Sequence, residues 1–255
     1  PRPILMNVLD YIIHSISMKH RLFTACIGAM AATIAMAAES DARFASFPAY
    51  EGSDLELLVD SSGTHFTLRS PEAEAAQVLL YPTDRNSAAE DTLAMLRAES
   101  GTWRASVPSR LYGKFYTFRV KYAGRWLDET PGVWAKAVGT NGKRAAIIDF
   151  AGTNPDGWNE DRGPEVKNIT DAVIYEMHHR DMSMHPTSGI VHKGKFLALT
   201  ERGTRTPEGE ATGIDHLKEL GVTHVHILPS YDYNSVDEAN LPSNGYNWGY
   251  DPQNY

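Results

Sequence analysis

The stretch "IDHLKELGVTHVHILPS", residues 214–230, is typical of a short amphipathic helix followed at once by a β-strand. Ile214, Leu217 and Leu220 fall on one helical face, and Gly221 stands where helices commonly end. The segment "THVHILPS" then predicts a buried strand, as does "AVIYEMHHRD" at 172–181 upstream. A strand, a helix and a second apolar strand in this order predict a βα unit of a parallel sheet. We therefore expect an α/β domain to occupy residues 171–255.

Residues 54–150, which precede that domain, have a different sequence pattern. Short segments of β character are separated by Gly, Pro, Asn and Asp, and their regular spacing predicts an antiparallel β-sandwich. The predicted strands are "HFTLRS" (65–70), "AAQVLLY" (75–81), "GTWRASVP" (101–108), "KFYTFRVKYAG" (114–124) and "RAAIIDF" (144–150). The segment "SAAEDTLAMLRAES" (87–100) predicts a helical insert, and 151–170 is a polar linker rich in Gly, Pro and Asn.

The N-terminal 37 residues predict a leader and a signal peptide. A basic start at Met18 is followed by the apolar, small-residue segment 22–37, which ends in the signal-peptidase pattern Ala-Met-Ala. We expect an exported protein, periplasmic, at the cell surface or extracellular, with no transmembrane segment after cleavage. A lead-in at 38–53 would follow, and translation would start at Met6 or Met18. Cleavage would remove Cys26, the single cysteine, and with it disulfide and thiolate chemistry.

Charge and ligand chemistry exclude several classes of function. The formal net charge of −8 disfavours a nucleic-acid partner and suits a neutral ligand. Histidines are frequent in 178–226, but no H-E-x-x-H spacing accompanies them, so we expect no metal centre there. No cofactor is expected, and the sequence leaves calcium dependence open.

The segment "SNGYNWGYDPQNY", residues 243–255, is the feature that a fold prediction alone does not explain. It has too many turn formers for a helix or a strand and too many aromatic residues for an ordinary solvated loop. It follows the second predicted strand of the α/β domain.

Several motifs resemble type I pullulanases, which are debranching enzymes of the α-amylase class (glycoside hydrolase family 13). The matching segments are "VIYEMHHRDMSMHPTSG", "GVTHVHILPSYDY", "YNWGYDPQNY", "GTHFTLRSPEAEAAQVLLY" and "WAKAVGTNGKRAAIIDF". The last two resemble the starch-binding-type β-sandwich, carbohydrate-binding module family 48, that precedes the barrel in these enzymes. The resemblance extends over residues 47–255.

The resemblance implies a multidomain protein: an all-β sandwich followed by the first βα units of a TIM barrel. It implies hydrolysis of α-1,6-glucosidic bonds in pullulan, amylopectin or glycogen fragments. Retaining hydrolysis needs two carboxyl groups about 5–5.5 Å apart. A complete barrel takes roughly 250 residues, so residues 171–255 hold only its beginning. We expect the catalytic Asp and Glu to lie beyond Tyr255 and this chain alone to be inactive.

The resemblance assigns substrate binding to the aromatic segment, because loops that follow barrel strands build the active-site face. Aromatic rings stack on the apolar faces of sugars, and polar groups bond their hydroxyls. The predicted substrate-binding residues are Tyr246, Asn247, Trp248, Tyr250 and Asp251. By its match to the motif, Tyr250 lines the subsite beside the scissile bond, whereas Asp251 bonds sugar or braces the loop. The alternative is an aromatic cluster that pins the loop, which we favour for Trp248.

Other candidates have simpler structural explanations. Solvated or loop-capping roles are expected for Glu176, Asp181, Asp232 and Asp237. His178 and His226 are expected either in the core or behind the residues that contact the ligand. In the sandwich, Trp103, Tyr116, Trp126 and Trp134 could form a sugar platform, but core packing is the favoured prediction.

Two alternative functions remain at this point. One is a non-catalytic, secreted glucan-binding β-sandwich protein. The other is a different branched-glucan enzyme, isoamylase-like or branching-enzyme-like.

Overall fold

Two antiparallel sheets form the first half of the protein. The structure is a computed structural model that describes residues 45–254. The first sheet has the order β1-β2-β6-β5, formed by β1 (Glu56–Val59), β2 (Thr64–Arg69), β6 (Thr102–Val107) and β5 (Leu96–Arg97). The second has the order β4-β3-β7-β8, with β4 (Asp91–Ala94), β3 (Ala75–Tyr81), β7 (Phe115–Tyr122) and β8 (Arg125–Trp126). A short strand, β9 (Ala145–Ala146), also pairs with β7. The predicted antiparallel β-sandwich is confirmed.

An aromatic triad joins the two sheets. Phe66 of β2 and Tyr116 and Phe118 of β7 are almost fully buried and meet edge to face at centroid distances of 5.2–6.3 Å. Residues two apart in a strand share one face, so Tyr116 and Phe118 both point inward. This cluster, with Val78, Leu80, Trp103 and Ile147 around it, is the main core among the described residues.

The helix predicted for residues 87–100 is wrong. The segment forms β4 and β5 and ends in a 3-10 turn, Glu99–Gly101. Leu93 and Met95 pack against the core, whereas Leu96 is exposed, which is the alternation of a strand. Pairing with β3 overrides the local helical propensity, since Met95 N donates a 2.9 Å hydrogen bond to Ala76 O.

After the linker the topology changes from antiparallel to parallel. Strand β10 (Ile174–Met177) pairs in parallel with β11 (His224–Ile227), and helix α2 (Gly213–Glu219) lies between them in the chain. Gly221 ends this helical segment at φ +75°, as expected. A shorter helix, α1 (Asp181–Met184), follows β10, and an antiparallel pair, β12 (Asp232–Tyr233) with β13 (Pro252–Asn254), follows β11. Further 3-10 turns are Thr140–Gly142, Phe150–Thr153, Ile169–Asp171, Phe196–Thr200 and Glu238–Ser243.

Burial in this second region differs from the prediction. Ile174, Tyr175 and Val225 are 41–68% exposed, and of β10 only Met177 is buried. Two strands alone leave most of both sheet faces uncovered by the described residues. Leu217 faces inward on α2, but Leu220, predicted on the same face, is 53% exposed.

The predicted signal peptide and Cys26 lie outside the described residues. Within residues 45–254, no helix has the length and apolar character needed to cross a membrane.

Candidate functional site: an aromatic loop at the ends of two parallel strands

The ends of β10 and β11 bring two connecting segments to one edge of the parallel sheet. The register pairs Met177 with Ile227, and Leu228 N extends it by donating to Met177 O at 2.9 Å. Parallel strands have their carboxyl ends on the same edge. The segment after β10 and the loop of residues 243–251, which we call the aromatic loop, therefore meet there.

Two hydrogen bonds tie the aromatic loop to the segment after β10. The Tyr246 hydroxyl donates to Asp181 Oδ2 at 2.7 Å, and His178 Nε2 lies 2.9 Å from Asn247 O. The bond to Asp181 raises the pKa of Tyr246, because it favours the protonated phenol. His178 is buried, as predicted, and its ring lies 5.3 Å from that of Tyr246.

Asp251 braces the aromatic loop from within. Its Oδ1 accepts from Asn247 Nδ2 and its Oδ2 accepts from Ser235 N, both at 2.9 Å. Hydrogen bonding by Ser235 and Asn247 holds the pKa of Asp251 below its usual value. Of the two roles considered for Asp251, the geometry supports bracing, with Asn247, a predicted substrate-binding residue, as its hydrogen-bond partner.

The bracing leaves three aromatic rings open to solvent. Tyr246, Trp248 and Tyr250 are 47%, 62% and 67% exposed. Tyr246 and Trp248 meet edge to face with centroids 5.7 Å apart. Trp248, for which a packing role is favoured, thus contacts Tyr246 while most of its surface stays exposed.

One glycine sets the backbone path between these rings. Gly249 has φ +93°, and a Cβ there would collide with the Pro229 carbonyl oxygen. Only glycine satisfies both constraints without strain. Gly245, the other glycine of the loop, has open space where a Cβ would lie.

The remaining candidate acids serve as local acceptors. Asp237 caps the 3-10 turn Glu238–Ser243 by accepting from Ala239 N, and Asp232 Oδ2 accepts from Asn254 Nδ2 at 3.0 Å. Glu176 Oε2 lies 3.5 Å from His226 Nδ1. The core position predicted for His226 is wrong, since 66% of its side chain is exposed on the uncovered strand. In the described part of the chain no three His, Cys, Asp or Glu residues gather as metal ligands would.

Sequence reasoning missed a contact between the sandwich and this region. Asn141 and Gly142, in the 3-10 turn Thr140–Gly142, bond residues on both sides of the aromatic loop. The only signal was the Asn-Gly pair within "KAVGTNGKR", a motif that carried the resemblance.

The four sandwich aromatics divide into two pairs. Trp103 and Tyr116 are buried as predicted. Core packing is wrong for the other two: Trp126 is 38% exposed beneath the Arg119 guanidinium, and Trp134 is 63% exposed. Trp134 lines an open groove of about 230 Å³ with Tyr112, Phe150 and Lys136.

The β-sandwich matches a known family of domains. Residues 53–150 match the family model described as carbohydrate-binding module 48, the isoamylase N-terminal domain. The β-sandwich is therefore similar to that family of modules.

The chain as a whole is similar to pullulanases. It is 38% identical to the pullulanase of Bacillus subtilis over 208 residues, which are 81% of this chain and 27% of that protein. The crystal structure of Paenibacillus barengoltzii pullulanase with maltohexaose and alpha-cyclodextrin matches 81% of this chain and 32% of that one, with 51% identity and a TM-score of 0.77. Bacillus acidopullulyticus pullulanase matches 81% of this chain and 25% of that one, with 40% identity and a TM-score of 0.76.

These similarities relate the chain to pullulanases, of which it corresponds to an N-terminal part. It spans about a quarter to a third of the length of these three relatives.

Proposed function

We propose that this chain is the substrate-binding beginning of an exported α-glucan debranching hydrolase that cleaves α-1,6-glucosidic bonds. The single observation that carries the proposal is the aromatic loop: three exposed rings on a loop held by hydrogen bonds of Asp251, Asp181 and His178. A flat apolar ring beside fixed polar groups is what a sugar ring requires of a binding surface.

In this proposal the parallel pair β10–β11 with α2 is the start of a TIM barrel. Supporting it are the parallel pairing, the intervening helix and the position of the aromatic loop after the second strand. Substrates of TIM-barrel enzymes bind at this edge, where the carboxyl ends of the strands meet.

Tyr250 is the proposed wall of the sugar subsite. It is the most exposed of the three rings, and Gly249 fixes the backbone immediately before it. Tyr246 and Trp248 extend the apolar surface, whereas Asn247 and Asp251 hold its shape. The proposed ligand is a neutral α-glucan, since related pullulanase structures contain maltohexaose or maltotriose.

Catalysis in this proposal requires two carboxyl groups other than the four aspartates near the aromatic loop. Asp181, Asp232, Asp237 and Asp251 all accept hydrogen bonds that hold local structure. A retaining hydrolase needs a nucleophilic carboxylate and an acid/base carboxyl poised at the scissile bond. We assign both to residues outside this chain.

Calorimetric titration of the chain with maltotetraose tests the proposed site. We expect weak binding that Tyr250→Ala reduces roughly five- to thirtyfold, since loss of one stacking ring removes on the order of 1–2 kcal/mol. Tyr122→Ala, which removes a 43% exposed tyrosine from the sandwich, is the matched control and should bind like the unsubstituted chain. Equal binding by the Tyr250 variant would contradict the proposal.

A second candidate function is glucan binding by the sandwich itself. The exposed Trp134 and its groove with Tyr112 and Phe150 favour it. In the same titration Trp134→Ala would then abolish binding, whereas Tyr250→Ala would leave it unchanged.

A further inference from the structure

The 3-10 turn Thr140–Gly142, which we call the module turn, projects from the β-sandwich toward the aromatic loop. The sandwich holds it firmly: Thr140 Oγ1 donates to Asp84 Oδ2 at 2.5 Å, and Gly139 N donates to Arg144 O at 2.8 Å. The Arg144 guanidinium in turn lies 3.5 Å from the centroid of the Tyr81 ring. The module turn is therefore a fixed part of the sandwich surface.

Asn141 forms hydrogen bonds with the segment that precedes the aromatic loop. Its backbone N donates to Glu238 Oε2 at 2.6 Å, and its Oδ1 accepts from Glu238 N at 2.8 Å. Its Nδ2 donates to Asp237 Oδ1 at 3.0 Å, a bond that lowers the pKa of Asp237. Three bonds from one residue fix the start of the 3-10 turn Glu238–Ser243, and Asp237 is linked onward to Asn244 by two more.

Gly142 and Lys143 form hydrogen bonds with the segment that follows the aromatic loop. Asn254 Nδ2 donates to Gly142 O at 3.1 Å, and Lys143 Nζ donates to Gln253 Oε1 at 3.0 Å. The fit is close, since a Cβ on Gly142, at φ +63°, would collide with Asn254 and Asp232. Gln253 and Asn254 belong to β13, which starts immediately after Asp251.

The aromatic loop is therefore held at both of its ends by one turn of the other domain. A loop whose ends are fixed loses less entropy when it binds a ligand than one whose ends move. In the chain, Tyr246, Trp248 and Tyr250 lie between the two segments that the module turn holds, Asp237–Glu238 and Gln253–Asn254.

We propose that the module turn is a positioning element of the glucan site, with Asn141 and Gly142 as its positioning residues. The sandwich thereby contributes to glucan binding without touching the sugar. The link to glucan rests on the proposed function, whereas the effect on the loop does not.

Hydrogen–deuterium exchange of the whole chain tests the effect on the loop. In Asn141→Ala, which removes the two side-chain hydrogen bonds to Glu238 N and Asp237 Oδ1, we expect amides of residues 244–251 to exchange about tenfold faster. The matched control is Asn86→Ala: Asn86 also has positive φ, is exposed, and makes no side-chain hydrogen bond seen among residues 45–254. Equal loop exchange in the two variants would overturn the proposal.

Exchanging the Asn and Asp side chains of positions 141 and 237 distinguishes a positioning role from a general loss of stability. Asn141→Asp places a carboxylate against Asp237 and should loosen the loop, whereas Asn141→Asp combined with Asp237→Asn restores a donor and an acceptor. We expect the double variant to recover protection of 244–251, and failure to recover would count against the proposal. If Asn141→Ala does not fold, Glu238→Ala removes the remaining bond between the two segments, from Asn141 N to Glu238 Oε2, and the exchange of residues 244–251 in that variant decides the question.

Titration of these variants with maltotetraose completes the test. Weaker binding by Asn141→Ala than by Asn86→Ala supports the positioning role, and equal binding overturns it. If the unsubstituted chain binds no maltotetraose, the proposed function fails. The exchange comparison then still decides whether the module turn holds the loop.

Discussion

The hydroxyl of Tyr246 donates a 2.7 Å hydrogen bond to Asp181 Oδ2, joining residues 65 positions apart. Asp181 follows β10 and Tyr246 follows β11, so the bond closes the carboxyl edge of the parallel sheet. It fixes the tyrosine ring at its tip while leaving 47% of the residue exposed. A ring held in this way is preorganised for a ligand.

Tyr246→Phe removes this bond and keeps the ring. We expect maltotetraose affinity to fall roughly two- to fivefold, because one exposed hydrogen bond contributes about 0.5–1 kcal/mol. Calorimetric titration measures the change, with Tyr122→Phe in the sandwich as control. A Tyr246→Phe variant that binds as tightly as its control would show that the bond does not preorganise the site.

Gly249→Ala should distort the aromatic loop. The added Cβ would collide with the Pro229 carbonyl oxygen, and the positive φ of residue 249 disfavours alanine. We therefore expect at least about tenfold weaker maltotetraose binding. Gly245→Ala places its methyl in open space and is the matched control. The thermal midpoint of the sandwich should stay unchanged in both. Similar affinities for the two variants would refute the role of Gly249.

Glu56 makes the stability of the sandwich depend on pH. It is 2% exposed, its Oε1 accepts from Val133 N at 2.7 Å, and burial raises its pKa. A carboxyl with a raised folded-state pKa stabilises below its unfolded pKa, near 4.5, and this contribution is lost as pH rises through the folded pKa. The free energy of unfolding should therefore fall from pH 4.5 toward neutrality.

Glu56→Gln keeps the shape and an acceptor but cannot ionise. We expect urea unfolding to show a flatter pH profile and a gain of about 1 kcal/mol at pH 7. Glu165→Gln, in the exposed linker, should reproduce the profile of the unsubstituted chain. An unchanged slope in the Glu56 variant would show that the carboxyl is not buried in solution.

The two halves of the protein should differ in independent stability. The main aromatic core lies in the sandwich, whereas β10 and β11 expose most of their apolar side chains. Residues 54–150 alone should resist proteolysis, and residues 171–255 alone should be digested or aggregate. Protease resistance of the second piece would contradict this account.

The chain should release no reducing sugar from pullulan. Its candidate carboxylates hold loop structure, and we place the catalytic pair outside it. Purified protein is incubated with pullulan and compared with buffer, and release above buffer would refute that placement.

Sequence pattern predicted the sandwich and the parallel βα unit because period-two alternation and an amphipathic helix are local properties. It failed at 87–100, where pairing of Met95 with Ala76 overrides helical propensity. It also failed at β10 and β11, because apolar composition predicts burial only where a partner covers the strand. The aromatic loop was found through its motif, but the contacts of Asn141 with Asp237 and Glu238 join residues nearly 100 positions apart. No local pattern encodes such a contact.

Nuclear Overhauser contacts between maltotetraose and the aromatic rings test the central claim, glucan binding by the aromatic loop, most directly. Specific labelling of tyrosine and tryptophan rings distinguishes the loop from the sandwich groove. We predict contacts from sugar C–H protons to Tyr250 and Trp248, lost in Tyr250→Ala. Contacts confined to Trp134 and Tyr112, or none at saturating sugar, would contradict the claim.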